Sequence, residues 1–213
     1  IPKGVRFAAA EQARSTEIEL LCAGICETRM VPSALVTGGS SGIGLAIARV
    51  LAEEGHALTL AARNAERLEA AAAELGAHMV AADVSSEEDC ARVVADHVAH
   101  HGGLDVLVNS AGVGFAGRIA DMQTKRFDVS LGVNLRGTFL VTREALPHLR
   151  ASRGLVVNLA SIAGTMPTPG LAAYGAAKAA VISLTRSLAR EEAESGVRAT
   201  ALCPAFVATP MTD

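Results

Sequence analysis

The sequence has no tryptophan, one tyrosine (Tyr174) and five phenylalanines, so aromatics are only 3% of its 213 residues. A core this poor in rings has to be built from Ala, Val, Leu and Ile. Lysine and arginine (19) do not outnumber aspartate and glutamate (22), and the net charge is −3. There is no basic excess to attract nucleic acid or an anionic membrane. No apolar run approaches the roughly 20 residues of a membrane-spanning helix. Four cysteines, Cys22, Cys26, Cys90 and Cys203, lack the paired spacing of a zinc site. Cys22 and Cys26 could share a helix face, but no suitable partner ligands stand near them. Thiols without a disulfide framework fit a reduced, cytoplasmic setting. No basic stretch followed by an apolar run and a small-residue cleavage site marks a secretory signal.

What is present is an ordinary globular composition, 50% apolar and 19% charged, long enough for one α/β domain. The first 32 residues differ from the rest. They hold an Ala/Glu-rich helical stretch from Ala8 to Ile25 with no partner strand, and read as an N-terminal extension. From Ser33 onward strands and helices alternate. Strands are expected at 34–37, 57–61, 78–82, 104–109, 155–159 and 197–203. Helices are expected at 43–54, from Asn64 to Leu75, from Ser85 or Ser86 to about His101, at 125–149 and at 172–195. Short apolar strands alternating with helices predict a doubly wound parallel sheet, and right-handed crossovers give the order 3-2-1-4-5-6.

Two patterns carry chemistry. Thr37-Gly38-Gly39-Ser40-Ser41-Gly42-Ile43-Gly44 follows the first strand and opens the first helix. Glycines here let the backbone approach a pyrophosphate, and the helix start supplies N–H donors and positive potential. The spacing is Gly-x-x-x-Gly-x-Gly rather than the commoner Gly-x-Gly-x-x-Gly. The second pattern is Tyr174-x-x-x-Lys178, which places both side chains on one helix face. An ammonium beside a phenol lowers the phenol's pKa from about 10 toward neutral and makes it a usable acid and base. On its own this spacing also fits a packed tyrosine and a snorkelling lysine.

Taken together, and in register from Ser33 to the end, the motifs resemble the short-chain dehydrogenase/reductase family in its compact single-domain branch. The ordered set is the glycine turn, Asp83-Val84, Asn109-Ser110-Ala111-Gly112, Asn134, Ser161, Tyr174, Lys178 and Pro204. The resemblance implies an enzyme moving a hydride between a nicotinamide and a carbonyl or secondary-alcohol carbon. Tyr174 is then the general acid and base. Lys178 lowers its pKa and bonds the nicotinamide ribose. Ser161 donates to the substrate oxygen, and Asn134 holds a water that relays protons through Lys178.

Cofactor contacts are implied for Gly38, Ser40, Ser41, Gly42, Ile43, Gly44, Asp83, Val84, Asn109, Ala111, Gly112, Pro204, Val207 and Thr209. Asp83 is expected at the adenine amino group, with Asn109 and Gly112 shaping the sheet edge under the cofactor. Val207 and Thr209 are expected at the carboxamide. Two positions depart from the family pattern: Ser110, where a second asparagine is common, and Ala205, where glycine is common.

Ala62 stands where an NAD enzyme carries a carboxylate for the ribose hydroxyl, and Arg63 follows it. That pair, with Ser40 and Ser41, favours NADP(H) over NAD(H). Gly114, Phe115, Met166, Pro167 and Leu171 flank the expected catalytic residues and predict an apolar carbonyl or alcohol substrate. No metal is expected. Family chains continue beyond the sixth strand through lid helices and a seventh strand, which the sequence to Asp213 does not include. A nucleotide-binding scaffold lacking the substrate lid is therefore the alternative reading. An extended-branch epimerase is disfavoured by the glycine spacing. The resemblance also implies a homodimer or homotetramer, paired through the Asn134 and Tyr174 helices.

Overall fold

The computed structural model describes residues 31–207. Apart from Val31 and Pro32, the expected extension lies outside these residues, as do Cys22, Cys26 and Thr209.

Strand β1 (Ser33–Thr37) is followed by helix α1 (Gly42–Glu53), β2 (Ala57–Ala62), α2 (Ala65–Leu75), β3 (His78–Ala81) and α3 (Glu87–His101). Next come β4 (Val106–Asn109), α4 (Thr124–Leu131), α5 (Thr138–Ser152), β5 (Leu155–Leu159), α6 (Ala172–Glu191) and β6 (Arg198–Leu202). All five strand pairings are parallel, and the sheet order is β3-β2-β1-β4-β5-β6, as the pattern predicts.

Alternation along the strands feeds two cores, because successive side chains point to opposite faces. Ala34, Val36, Leu58, Leu60 and Val108 meet Ala48 of α1 and Leu68, Ala71 and Ala72 of α2. Leu35, Ala61, Leu107 and Val156 face the other way. They meet Val93 of α3, Leu140, Val141, Ala145 and Leu149 of α5, and Leu188 of α6. Burying one such aliphatic side chain contributes about 1.5–3 kcal/mol, so many small contacts replace the missing aromatics.

Helix ends follow from local chemistry. Asn64 and Ser86 accept from backbone N–H groups three residues on and cap α2 and α3, while Gly76 and Gly102 close them in left-handed geometry. Most boundaries fall within two residues of expectation, and two differences are larger. Helix α6 stops at Glu191 rather than Ser195, because the chain turns through Gly196 at φ +80° to enter β6. The single long helix expected at 125–149 is α4 and α5 joined by a π-helical turn at Gly132–Gly137. Its backbone stays helical throughout, so the path is continuous but carries one wide turn, a feature concentrated at functional sites.

Candidate active site

The sheet order reverses between β1 and β4, and the loops leaving the C-terminal ends of β1 to β5 enclose a cavity of about 290 Å³. This is where open α/β sheets bind ligands. Its floor is the glycine turn. Gly38 has φ +68°, and a β-carbon there would sit 2.7 Å from the Ala111 nitrogen. A β-carbon on Gly44 would collide with the Gly38 carbonyl. These two glycines therefore bring the β1 loop against the β4 loop and the start of α1.

Helix α1 begins with its donors uncompensated. Ser41 occupies the N-cap position, yet its side chain makes no capping bond, and the first turn holds no acid. By contrast α2 and α3 start with Glu66 and with Glu87, Glu88 and Asp89. A helix start left bare beside a cavity suits an anion, because N–H donors and the helix dipole point the same way. Ser40, Ser41, Gly42, Ile43 and Gly44 all line the cavity, with Ala62, Arg63, Val84, Ala111, Gly112, Asn134, Tyr174 and Lys178.

Asp83 and Asn109 do not line it. Asp83 Oδ1 accepts from the Ser85 N–H (2.9 Å) and hydroxyl (2.7 Å), which makes a turn, and its Oδ2 lies 4.0 Å from Arg63 Nη1. Asn109 is buried beneath the loop and donates to Thr142 and Asn158. It supports the sheet end from below.

A second cavity of about 280 Å³ opens beside the first. It is lined by Gly114, Ala116, Ser161, Ile162, Thr168, Leu171, Pro204, Phe206 and Val207, among others. Its wall is mostly apolar, as expected. Gly114 and Leu171 belong to it, while Phe115, Met166 and Pro167 do not. Phe115 lies instead under the Arg126 guanidinium, 5.8 Å from its ring centroid. Ala116, Ile162, Thr168 and Phe206 are wall residues that sequence reasoning missed, since nothing in their local pattern distinguishes them. The loops after β5 and β6 are held together by Ala160 N–H to Leu202 O (2.8 Å) and Ile162 N–H to Pro204 O (2.9 Å). This brings Pro204 and Val207 beside Ser161.

Three residues belong to both cavities: Ile43, Ala160 and Tyr174. Tyr174 therefore stands at their junction. A hydrogen bond with Ser161 favours its phenolate, but burial outweighs it and raises the phenol above its ordinary pKa. Lys178 lies one turn further along α6, only 4% exposed, with Nζ over the Tyr174 ring at 5.7 Å from the centroid. Its ammonium donates to the Leu159 carbonyl at 2.6 Å. Burial without a carboxylate partner pushes Lys178 down to about 8. The expected lowering of the Tyr174 pKa by Lys178 does not appear. Desolvation dominates both groups.

Asn134 sits in the π-helical turn and is fully buried. Its side chain clamps the strand-like segment after β4. Nδ2 donates to Val113 O (2.8 Å) and Ser130 O (2.9 Å), and Oδ1 accepts from Val113 N–H (3.1 Å). The side chain is thus committed to structure, and the main-chain carbonyl accepts from the Thr138 hydroxyl at 3.0 Å with one of its two lone pairs. Among the described residues no cluster of His, Cys, Asp or Glu could hold a metal ion. No described helix is long and apolar enough to cross a membrane.

The fold and site define a nucleotide-binding α/β protein with a Ser-Tyr-Lys group at its switch point. The short chain dehydrogenase family model matches residues 32–213. The chain belongs to this family of oxidoreductases, whose members act on CH–OH groups. It is 42% identical to an uncharacterized oxidoreductase of Staphylococcus epidermidis over 186 residues, covering 84% of this chain and 80% of that one. The 3-ketoacyl-(acyl-carrier-protein) reductase of Brucella melitensis, solved with NADH, aligns with TM-score 0.83 at 36% identity, over 84% of this chain and 78% of the other. A variant of actinorhodin polyketide ketoreductase, solved with NADPH, aligns with TM-score 0.84 at 36% identity, over 87% and 74%.

Proposed function

We propose that the protein is an NADP(H)-dependent reductase of an apolar ketone, or dehydrogenase of the matching secondary alcohol, with Tyr174 as general acid and base. The observation that carries this reading is the place of Tyr174 at the junction of the two cavities, with Ser161 on the wall of the second and Lys178 buried a turn away.

The residues suit a dinucleotide. Gly38, Gly44 and the bare start of α1 receive the pyrophosphate, while Ala62, Arg63 and the Ser40 and Ser41 hydroxyls face the adenosine ribose. No carboxylate stands at Ala62 to hold a ribose hydroxyl, and Arg63 carries a charge suited to a 2′-phosphate. Lys178 reaches the nicotinamide ribose, and Val207 and Thr209 hold the carboxamide end. When bound, the nicotinamide supplies or accepts the hydride.

The protein's own part is positioning and proton movement. Ser161 donates to the substrate oxygen and stabilises charge building there in the transition state. Tyr174 gives that oxygen a proton in reduction and removes it in oxidation. The Lys178 ammonium, one turn along α6 from Tyr174, would favour the phenolate and bond the nicotinamide ribose. The Asn134 carbonyl holds the water that returns the proton. The apolar second cavity suits the ketone, in keeping with the ketoacyl and polyketide reductases among the similar structures. A homodimer or homotetramer in the cytoplasm completes the reading, supported by the half-exposed Phe127 and Phe139 on α4 and α5.

The test is a rate assay with NADPH and NADH against a panel of apolar ketones, with Tyr174→Phe in parallel. Turnover with NADPH that falls by a factor of about 10² or more in the variant supports the proposal. Tight NADPH binding without turnover on any ketone overturns it, and equal or faster rates with NADH overturn the cofactor assignment.

A further inference from the structure

Asn109 and Asn158 are register partners on adjacent strands, and both point to the face that carries α5 and α6. Each reaches a threonine on a different helix. Asn109 Nδ2 donates to Thr142 Oγ1 of α5 at 3.0 Å and to Asn158 Oδ1 at 2.9 Å. Asn158 Nδ2 passes the link on to Thr185 Oγ1 of α6 at 2.9 Å.

The direction of every bond follows from the threonines. Thr142 gives its hydroxyl hydrogen to Thr138 O, and Thr185 gives its own to Val181 O, both at 2.7 Å. Each hydroxyl oxygen is then left to accept. Thr185 must be met by the amide hydrogens of Asn158, so Asn158 turns its oxygen to Asn109. Asn109 therefore donates in both directions, no flipped amide makes all three bonds, and Asn109 Oδ1 is left buried without a hydrogen-bond partner.

Both arms end at site residues. On α5 the chain runs from Thr142 to Thr138, whose hydroxyl donates to the Asn134 carbonyl at 3.0 Å. On α6, Thr185 shares one helix stripe with Val181, Lys178 and Tyr174, each three or four residues from the next. That stripe is fastened to consecutive residues of β5: Asn158 through Thr185, and Leu159 through Lys178. Among the site residues expected from sequence, Asn109 is the one that touches both arms while lining neither cavity.

We propose that Asn109 is a positioning residue that sets the placement of the Tyr174–Lys178 helix relative to the Asn134 turn by giving one amide hydrogen toward each. This rests on the functional reading above, in which those residues carry the chemistry. The bonds that are made tie both helices to one strand pair, while Asn109 Oδ1 stays unpaired.

The protein offers an uncommon readout. Tyr174 is its only tyrosine and there is no tryptophan, so phenolate absorbance titrates this one group without any turnover. Thr185→Val keeps the shape of the side chain and removes only the hydroxyl, and Thr185→Ser restores it. The expected result for Thr185→Val is an upward move of the phenol midpoint, as the helix shifts and the Ser161 contact loosens. With NADPH and a ketone, kcat should fall by roughly 10- to 100-fold, the KM for NADPH should stay within about twofold, and Thr185→Ser should return both. Asn109→Leu, which removes both donated hydrogens without adding a charge, should shift the midpoint at least as far. A Thr185→Val protein that melts earlier, yet overlays the wild-type titration and pH–rate profile, would reduce the network to a structural role and overturn the proposal. If the wild type turns over no ketone, the functional reading fails, and the titration still decides whether the network positions Tyr174.

Discussion

The Lys178 ammonium donates to the main-chain carbonyl of Leu159 at 2.6 Å, at the last residue of β5. A charged group is thereby held 4% exposed with a neutral partner. Function explains the arrangement better than stability does, because a cation without a counter-charge is costly to bury.

That cost has a sign and a pH window. Lys178 is lowered from its ordinary 10.5 to about 8 by burial, which corresponds to a penalty on the order of 3 kcal/mol when it is charged. Below about pH 8 the lysine is protonated in both states and the full penalty applies. Between about 8 and 10.5 the unfolded chain binds the proton and the folded one does not, so stability rises with pH there. Lys178→Met should therefore unfold at higher urea than wild type near pH 7, and the advantage should shrink as the pH approaches 10. It should also abolish turnover. A variant that is less stable than wild type near pH 7 would show that the Leu159 bond outweighs desolvation.

The glycine cradle predicts a loss confined to binding. In Gly44→Ala the new methyl meets the Gly38 carbonyl and lies 2.9 Å from its carbon, both part of the turn that approaches the pyrophosphate. The turn must open, and NADPH affinity should fall by 10-fold or more on the scale of overpacking costs, about 1–3 kcal/mol. Fluorescence titration with NADPH reads this directly. An unchanged dissociation constant would mean that the turn does not contact the cofactor.

Strand β5 is legible in the amino-acid sequence to the residue. Leu155-Val-Val-Asn-Leu159 is a short apolar run ended by a turn serine, and its expected and observed bounds coincide. The π-helical turn at Gly132–Gly137 is not legible. One widened turn leaves the apolar period nearly intact, so the spacing does not show that Asn134, picked out by its motif, stands in it. The motif around Asn109 points it toward the cofactor, because its neighbours Ala111 and Gly112 belong there. Its actual partners, Thr142 and Asn158, are 33 and 49 residues away in the chain. Only the register of β4 on β5 and the docking of α5 bring them together. The walls contributed by Thr168 and Phe206 depend on loop paths for the same reason.

Cofactor preference should follow the end of β2. Arg63 is paired with Asp83 at 4.0 Å, and both side chains are well exposed (59% and 39%). Such a contact holds an arginine only weakly, so Arg63 is available to a 2′-phosphate. Arg63→Ala should lower kcat/KM for NADPH by about 10-fold, the scale of a lost charge-assisted hydrogen bond, and leave NADH nearly unchanged. Ala62→Asp should do the reverse, by offering the ribose hydroxyl a carboxylate and repelling the phosphate. Steady-state rates with both cofactors decide the matter. If Arg63→Ala affects the two equally, Arg63 contributes to folding or to a shared contact rather than to the choice between them.

Ser161 should matter unequally in the two reaction directions. Its bond to Tyr174 is what draws the phenol pKa down, against burial that raises it. Ser161→Ala therefore moves the phenol further up. Reduction needs the phenol protonated, so near neutral pH it loses only the hydrogen bond to the developing oxyanion, about 10²–10³-fold. Oxidation needs the phenolate and is slowed by that same loss and again by the smaller ionised fraction. The oxidation rate should fall further than the reduction rate near pH 8, and its rising limb should move to higher pH. Profiles of kcat in both directions measure this. Equal losses with an unmoved limb would mean that Ser161 acts on the substrate alone and does not tune Tyr174.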